Sequence, residues 1–309
     1  MMLTRRAFLA SAAATVAAGC LPNSTQGTIR LAAGDRGGLY LAVSELFAQR
    51  LRVRYPGITV TVQSTAGSVD NINRLRSGEA DMGLAQADVV EQYLRAEPPA
   101  GAPLAVARVY ENYVQLVVPA DSHVRQLNDL AGLRVSTGPS GSGVAVVTKV
   151  LFDAAKLTDR ILRVDLRLGD AIAALRNHSI DAMVWSGGIP TPALAELNAT
   201  LPLRIIDLTP WVTAMSEMAS YPYLLQRAPA GAYVPADVNT IGTPDLLLCR
   251  PDLPNSLAAA AVDVLATDAT QLMPPEVRGL QYLQPPSMVQ TGRIPLHPGA
   301  IEEYRVLHG

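Results

Sequence analysis

Thr28-Ile29-Arg30-Leu31-Ala32-Ala33, then Gly34-Asp35-Arg36-Gly37-Gly38, then Leu39 onward to Arg54: this stretch decides the fold. The first six residues are short and mostly apolar and predict a strand. The glycine-rich pentad predicts a turn. Beyond it Val43, Leu46, Phe47 and Leu51 fall on one helical face, so Leu39 to Arg54 predicts an amphipathic helix. Pro56-Gly57 breaks it, and Ile58 to Gln63 predicts the next strand. Strand, loop and helix in alternation build a parallel α/β sheet.

The alternation continues in both directions of the argument. Ser64 to Ser68 is a loop, and Val69 to Arg76 a helix with Ser68 as its expected cap. Asp81 to Ala85 predicts a buried strand and Gln86 to Arg95 a helix. After the loop Pro98 to Pro103, the apolar run Leu104 to Pro119 is long enough to leave one domain and enter another. A second series follows. Arg134 to Ser136, Ile161 to Arg167, Ile180 to Trp185 and Leu203 to Ile206 predict strands. Gly143 to Ala155, Ala171 to Asn177 (capped by Asp170) and Thr191 to Asn198 predict helices. Asn239 to Arg250 is a second long β-like run, followed by a helix from Asn255 to Thr267 and a Pro-rich tail. Two long crossings between two αβ units predict two hinged lobes, 28–115 with 240–309 and 116–239.

The N-terminus predicts export. Thr4-Arg5-Arg6-Ala7-Phe8-Leu9 fits the twin-arginine pattern, and Ala7 to Ala18 is apolar but too short to span a bilayer. Residues 1–19 are expected to be removed as a signal peptide. Cys20, after Ala17-Ala18-Gly19, is the expected lipidation site, and 20–27 the lipidated cysteine and its polar tether. The anchor is the only membrane contact expected, on the periplasmic or outer face of the membrane.

Composition narrows the function. Apolar residues make up 49% and charged ones 17%, which suits packed cores. Loss of Arg5 and Arg6 takes the formal charge from −2 to −4, with no basic stripe for nucleic acid. With Cys20 assigned to lipid, Cys249 stands alone in Leu246-Leu247-Leu248-Cys249 and reads as a buried structural thiol.

Four loops share one chemistry: Gly34 to Gly38, Ser64 to Ser68, Thr137-Gly138-Pro139-Ser140-Gly141-Ser142-Gly143, and Ser186-Gly187-Gly188-Ile189-Pro190-Thr191. Each follows a predicted strand and opens a predicted helix, where open α/β sheets bind ligands. Glycines let backbone N–H groups approach a ligand, helix N-termini favour negative charge, and Ser and Thr add donors. Two loops belong to each predicted lobe, so the cleft between them suits a small anion such as a carboxylate. Arg36 is the candidate for a two-pronged grip on that carboxylate. Tyr40, Tyr110 and Trp185 are candidate aromatic walls. Glu111 and Asn112 follow Tyr110, and Gln86 and Asp88 open a helix after a buried strand. Each loop taken alone also reads as a plain tight turn, and each aromatic as core packing.

Catalytic patterns are missing. Val144 stands where a phosphate loop needs Lys, and Ser140 is followed by Ser142 two residues on, so no Gly-x-Ser-x-Gly elbow forms. His123, His178, His297 and His308 are scattered, without zinc-site spacing. No catalytic residue, metal or cofactor is expected.

Five motifs occur together in order: Gly37-Gly38-Leu39-Tyr40, Gly67-Ser68-Val69-Asp70-Asn71, Ser77-Gly78-Glu79-Ala80-Asp81-Met82-Gly83, Gly138-Pro139-Ser140-Gly141-Ser142-Gly143 and Gly188-Ile189-Pro190-Thr191-Pro192-Ala193. From about Thr28 to about Leu265 the chain resembles the TAXI family, the TRAP-associated extracytoplasmic immunogenic solute-binding proteins. The resemblance implies a type II periplasmic-binding-protein fold, two hinged αβ lobes with a ligand cleft between them. It also implies a small anionic or zwitterionic ligand, an amino acid or dicarboxylate type of carboxylate, delivered to TRAP membrane subunits. Family contacts carry over to Gly38, Tyr40, Gly67, Ser68, Ser140, Ser142, Gly187 and Gly188. Here Asp35-Arg36 replaces the small residues usual in the first loop, Leu39 a hydroxyl residue, and Ala66 a Gly, while Trp185-Ser186 adds bulk before Gly187. The expected function is solute binding rather than catalysis. A ligand-sensing subunit for a membrane receptor kinase is the alternative, and an exported enzyme the remote one.

Overall fold

The computed structural model describes residues 25–96, 101–274 and 283–308. The expected signal peptide, Cys20 and most of the tether lie outside the described residues. The first series is β1 (Gly27–Ala32), α1 (Leu39–Arg54), β2 (Ile58–Gln63), α2 (Ser68–Ser77), β3 (Met82–Gln86) and α3 (Ala87–Ala96). β4 (Leu104–Pro119) leads to β5 (Arg134–Ser136), α4 (Gly143–Ala154), β6 (Leu162–Val164), α5 (Leu168–Arg176), β7 (Ala182–Gly187), α6 (Pro192–Asn198) and β8 (Leu203–Ile206). Then come α7 (Val212–Ala219), β9 (Leu224–Ala228), β10 (Val238–Cys249), α8 (Asn255–Thr267), α9 (Pro285–Met288) and α10 (Pro298–His308).

One mixed sheet runs in the order β2-β1-β3-β10-β4-β7-β5-β6, with β8 added to β4 and β9 to β10. Pairing is parallel within β2-β1-β3 and within β7-β5-β6. The two long strands are antiparallel to their neighbours and join the halves. β10 holds β3 through Asp245–Cys249 and β9 through Val238–Gly242. β4 holds β7 through Tyr113–Val117 and β8 through Leu116–Pro119. The first half is therefore β1–β3 with α1–α3 and α8–α10, and the second β5–β8 with α4–α7. This is a mixed α/β architecture in two parts joined by one sheet.

Helices cover both faces of the sheet. α1, α8 and α10 pack Phe47, Leu51, Leu257, Val264 and Tyr304 on one side of the first half. On the other side Ile72, Leu75 and Val89 share a cluster with Val147, Leu151 and Met215 of the second half. Leu168, Leu175, Leu194 and Leu197 form the core under α5 and α6. Cys249 lies fully buried in the first-half core, and burial pushes its thiol up to about 12.

Several expectations need correction. Ser68 is not the cap of α2: the N-cap is Gly67, and Ser68 Oγ instead accepts from the Gln86 N–H at 3.1 Å. Asp170 does not cap α5, which starts earlier with Arg167 as N-cap, so Asp170 sits in the first turn. Asp35 takes the capping role from the other half, its Oδ2 accepting from Leu168 N at 3.2 Å. α7, β9 and α10 carry no expectation from the sequence. β9 is mostly exposed and shows no clean alternation, and α10 begins on Pro298 inside the Pro-rich tail. Proline at a first helical position costs nothing, because that N–H lacks a helical partner anyway.

Candidate functional site

The loops after β1, β2, β5 and β7 and the end of β3 converge between the halves. They line a partly open cavity of about 40 Å³. That is room for about three water molecules. Its walls are Gly34, Asp35, Gly38, Leu39, Tyr40, Ala66, Gly67, Ser68, Gln86 and Asn112 from the first half. Pro139, Ser142, Gly143, Val144, Trp185, Ser186 and Gly187 come from the second.

Three helices begin at this cavity. Their N-caps Gly38, Gly67 and Ser142 line it, and so do their first residues Leu39, Ser68 and Gly143. The first N–H groups of a helix have no partner within it, and the helix dipole places partial positive charge there. Ser142 is held as a cap by accepting from Ala145 N at 3.0 Å while donating to Pro139 O at 2.7 Å. Ser68 Oγ accepts from Gln86 N, and Ser186 Oγ accepts from Gln86 Nε2 at 2.8 Å. Ser186 thus keeps a proton to donate, while the Ser68 hydroxyl lies 3.5 Å from the Tyr40 hydroxyl. Asp35 is the only wall residue with a formal charge, and Arg167 meets it at 2.9 Å. No arginine, lysine or histidine is among the wall residues.

The halves touch directly around the cavity. Gln86 to Ser186 crosses it, Asp70 N donates to Gly141 O at 3.0 Å, and Asp35 bonds Arg167 and Leu168. Gly143 lies so close to the first half that a Cβ there would sit 2.7 Å from Ser68 Oγ and 2.9 Å from Gln86 Cδ.

Of the sequence candidates, the structure brings Gly38, Tyr40, Gly67, Ser68, Gln86, Ser142, Trp185 and Gly187 to the walls. Trp185 is fixed there by its indole N–H, which donates to Thr191 Oγ1 at 3.1 Å. Four candidates lie elsewhere. Arg36 is exposed and faces a separate surface hollow with Ser64 and Arg167, because Asp35 is the loop residue turned to the cleft. Tyr110 is fully buried behind the wall, edge-on to Tyr40 with ring centroids 6.1 Å apart. Ser140 lines another hollow beside Lys149 and Met218. Gly188 is one residue beyond the wall, its carbonyl accepting from Thr191 Oγ1 at 2.7 Å.

Sequence reasoning missed Asp245. It is fully buried in β10 and accepts from the Tyr40 hydroxyl and, at 3.1 Å, from Asn112 Nδ2. Burial pushes its carboxyl well above the ordinary range, the Tyr40 bond opposing and Glu111 adding to the shift. Burial and the same carboxylate push the Tyr40 phenol up. The available signal was a lone acid inside the apolar run from Ile241 to Cys249.

Solved structures share this architecture. The chain is similar to the periplasmic aliphatic sulphonate binding protein SsuA from Escherichia coli at 18% identity, over 80% of this chain and 73% of that chain, with a TM-score of 0.50. It is similar to the alkanesulfonate-binding protein SsuA from Xanthomonas axonopodis pv. citri bound to MOPS at 19%, over 92% of each chain, with a TM-score of 0.51. It is also similar to a putative L-cystine ABC transporter from Listeria monocytogenes at 15%, over 80% of this chain and 93% of that chain, with a TM-score of 0.52. Identities this low establish the fold. The NMT1-like family matches residues 31–305, nearly the whole described chain, and the protein belongs to that family.

Proposed function

We propose that this protein is an extracytoplasmic solute-binding protein that takes one small carboxylate between two hinged lobes and hands it to a membrane transporter. The observation that carries the reading is the convergence of three helix N-termini and the Ser186 hydroxyl on a cavity without a basic side chain. Such a donor set stabilises a carboxylate through backbone and hydroxyl hydrogen bonds. The lobes correspond to 28–115 with 240–309 and to 116–239. A ligand touching both stabilises the closed arrangement, because only that arrangement supplies both sets of donors.

Capture of this kind needs no covalent step, so the protein is read as a binding protein and not an enzyme. The solved relatives named above are sulphonate-binding and cystine-transport proteins, which supports solute binding as the role. The resemblance to the TAXI family supports TRAP-type membrane subunits as the partner. The N-terminal pattern supports export and anchoring through Cys20. Isothermal titration with a panel of small carboxylates tests the reading. Saturable binding at one per chain supports it, and a panel without any binder contradicts it.

A further inference from the structure

Asp245 sits where the ladder between β10 and β4 slips. Asp245 faces Tyr110 and Leu246 faces Arg108, so Val109 is an extra residue. A bulge of this kind re-aims the side chains beside it. Asp245 is fully buried and is not a wall residue of the cavity. Its Oδ1 accepts two hydrogen bonds, one from the Tyr40 hydroxyl and one from Asn112 Nδ2. Both donors belong to wall residues.

The count of protons then decides what those walls offer. A phenol has one proton, and Tyr40 gives its proton to Asp245. The 3.5 Å contact between Tyr40 and Ser68 Oγ must therefore take its proton from Ser68. Asn112 turns its amino group toward Asp245, leaving an Oδ1 that has no hydrogen-bond partner among the described residues. What Tyr40 and Asn112 retain for a ligand is oxygen lone pairs. A carbonyl oxygen against those lone pairs leaves acceptors facing acceptors, whereas an ammonium or hydroxyl satisfies them.

We propose that Asp245 is a positioning residue for specificity: by holding the protons of Tyr40 and Asn112, it makes this wall of the cavity an acceptor surface that selects carboxylates bearing an amine or hydroxyl over their keto counterparts. The proposal rests on the solute-binding reading. It does not depend on the charge of Asp245, because the carbonyl oxygen of a protonated carboxyl accepts as well.

The test titrates two matched pairs, L-lactate with pyruvate and L-glutamate with 2-oxoglutarate, into the full chain and its variants by calorimetry. In the wild type the donor-bearing member of whichever pair binds is expected to be at least tenfold tighter. Asp245→Leu removes the acceptor, and the ratio is expected to fall toward one. Asp245→Asn keeps an acceptor oxygen in place and is expected to retain the preference. Tyr40→Phe, which keeps the ring and removes the oxygen, should lower the ratio even if Asp245→Leu does not fold. A wild type that prefers the keto acid overturns the proposal while leaving solute binding intact, as does a folded Asp245→Leu with an unchanged ratio. A wild type that binds neither these four nor any other acid of the small-carboxylate panel overturns both readings.

Discussion

Asp88 opens α3 with its carboxyl buried, its Oδ2 accepting from the Tyr223 hydroxyl at 2.8 Å. Burial raises its pKa to about 6, the Tyr223 bond opposing that shift. The folded value lies above the unfolded one near 4, so between about pH 4 and 6 the folded chain binds more protons. The stabilisation from that proton is present at low pH and is lost as pH rises through about 6. Asp88→Asn, which accepts the same bond without charge, should therefore gain stability relative to wild type from pH 4 to pH 7. The gain is expected to be on the order of 3 kcal/mol at most, from a shift of about two pKa units. Urea unfolding of both proteins at the two pH values measures it, and a gap that does not change with pH refutes the assignment. At this scale the sequence was legible where the chemistry is in the backbone. Gly38, Gly67 and Ser142 follow strands and open helices, so their place at the cavity follows from the alternation alone. Arg36 was not legible, since which loop side chain turns inward depends on the turn itself, where Gly37 takes a left-handed φ of 78°. Asp245 was not legible because its role rests on pairing between residues 133 positions apart in sequence.

The elements at the cavity meet through glycine. Gly143 is the first residue of α4, with the opposite half pressed against the position a Cβ would occupy. Its φ lies outside the left-handed region, so alanine suits the α4 helix itself. Gly143→Ala should leave the ligand-free protein within about 1 kcal/mol of wild type yet weaken carboxylate binding at least tenfold, by wedging the halves apart. Chemical unfolding and calorimetric titration separate the two effects, and unchanged affinity contradicts the packing described here. A second contact works the other way. Asp35 caps α5 from the opposite half and pairs with Arg167. Asp35→Ala should also weaken binding, by a smaller factor, because this pair is half-exposed and screened by solvent. Titration at low and high salt checks it, since the wild-type contribution of the pair should shrink as salt rises. The alternating strands and helices were legible from periodicity and glycine loops, and α1, β2, β4, β5, β8 and α8 fall where the sequence places them. α7, β9 and α10 were not, because their burial comes from neighbours distant in sequence and leaves no clear local period.

At the scale of the whole molecule, β4 and β10 are the two strands shared by both halves. Among the described residues the same geometry that makes one sheet leaves these long crossings to flex, so opening is expected as a rotation of one half about their middle. In the structure the halves meet at Gln86–Ser186, Asp70–Gly141 and Asp35–Leu168. Separating them breaks those contacts, so the ligand-free chain in solution should have a larger radius of gyration than the liganded one, by about 1 Å for a protein of this size. Small-angle scattering with and without a saturating carboxylate measures it, and identical curves contradict a hinged cleft. Native mass spectrometry of the protein, purified without added ligand and then mixed with a panel of small carboxylates, tests the central claim most directly. The account predicts one small carboxylate per chain, retained from the cell or taken up from the panel, and lost in Gly143→Ala. A wild-type chain that stays empty throughout, or that binds the acid equally well with alanine at 143, contradicts it.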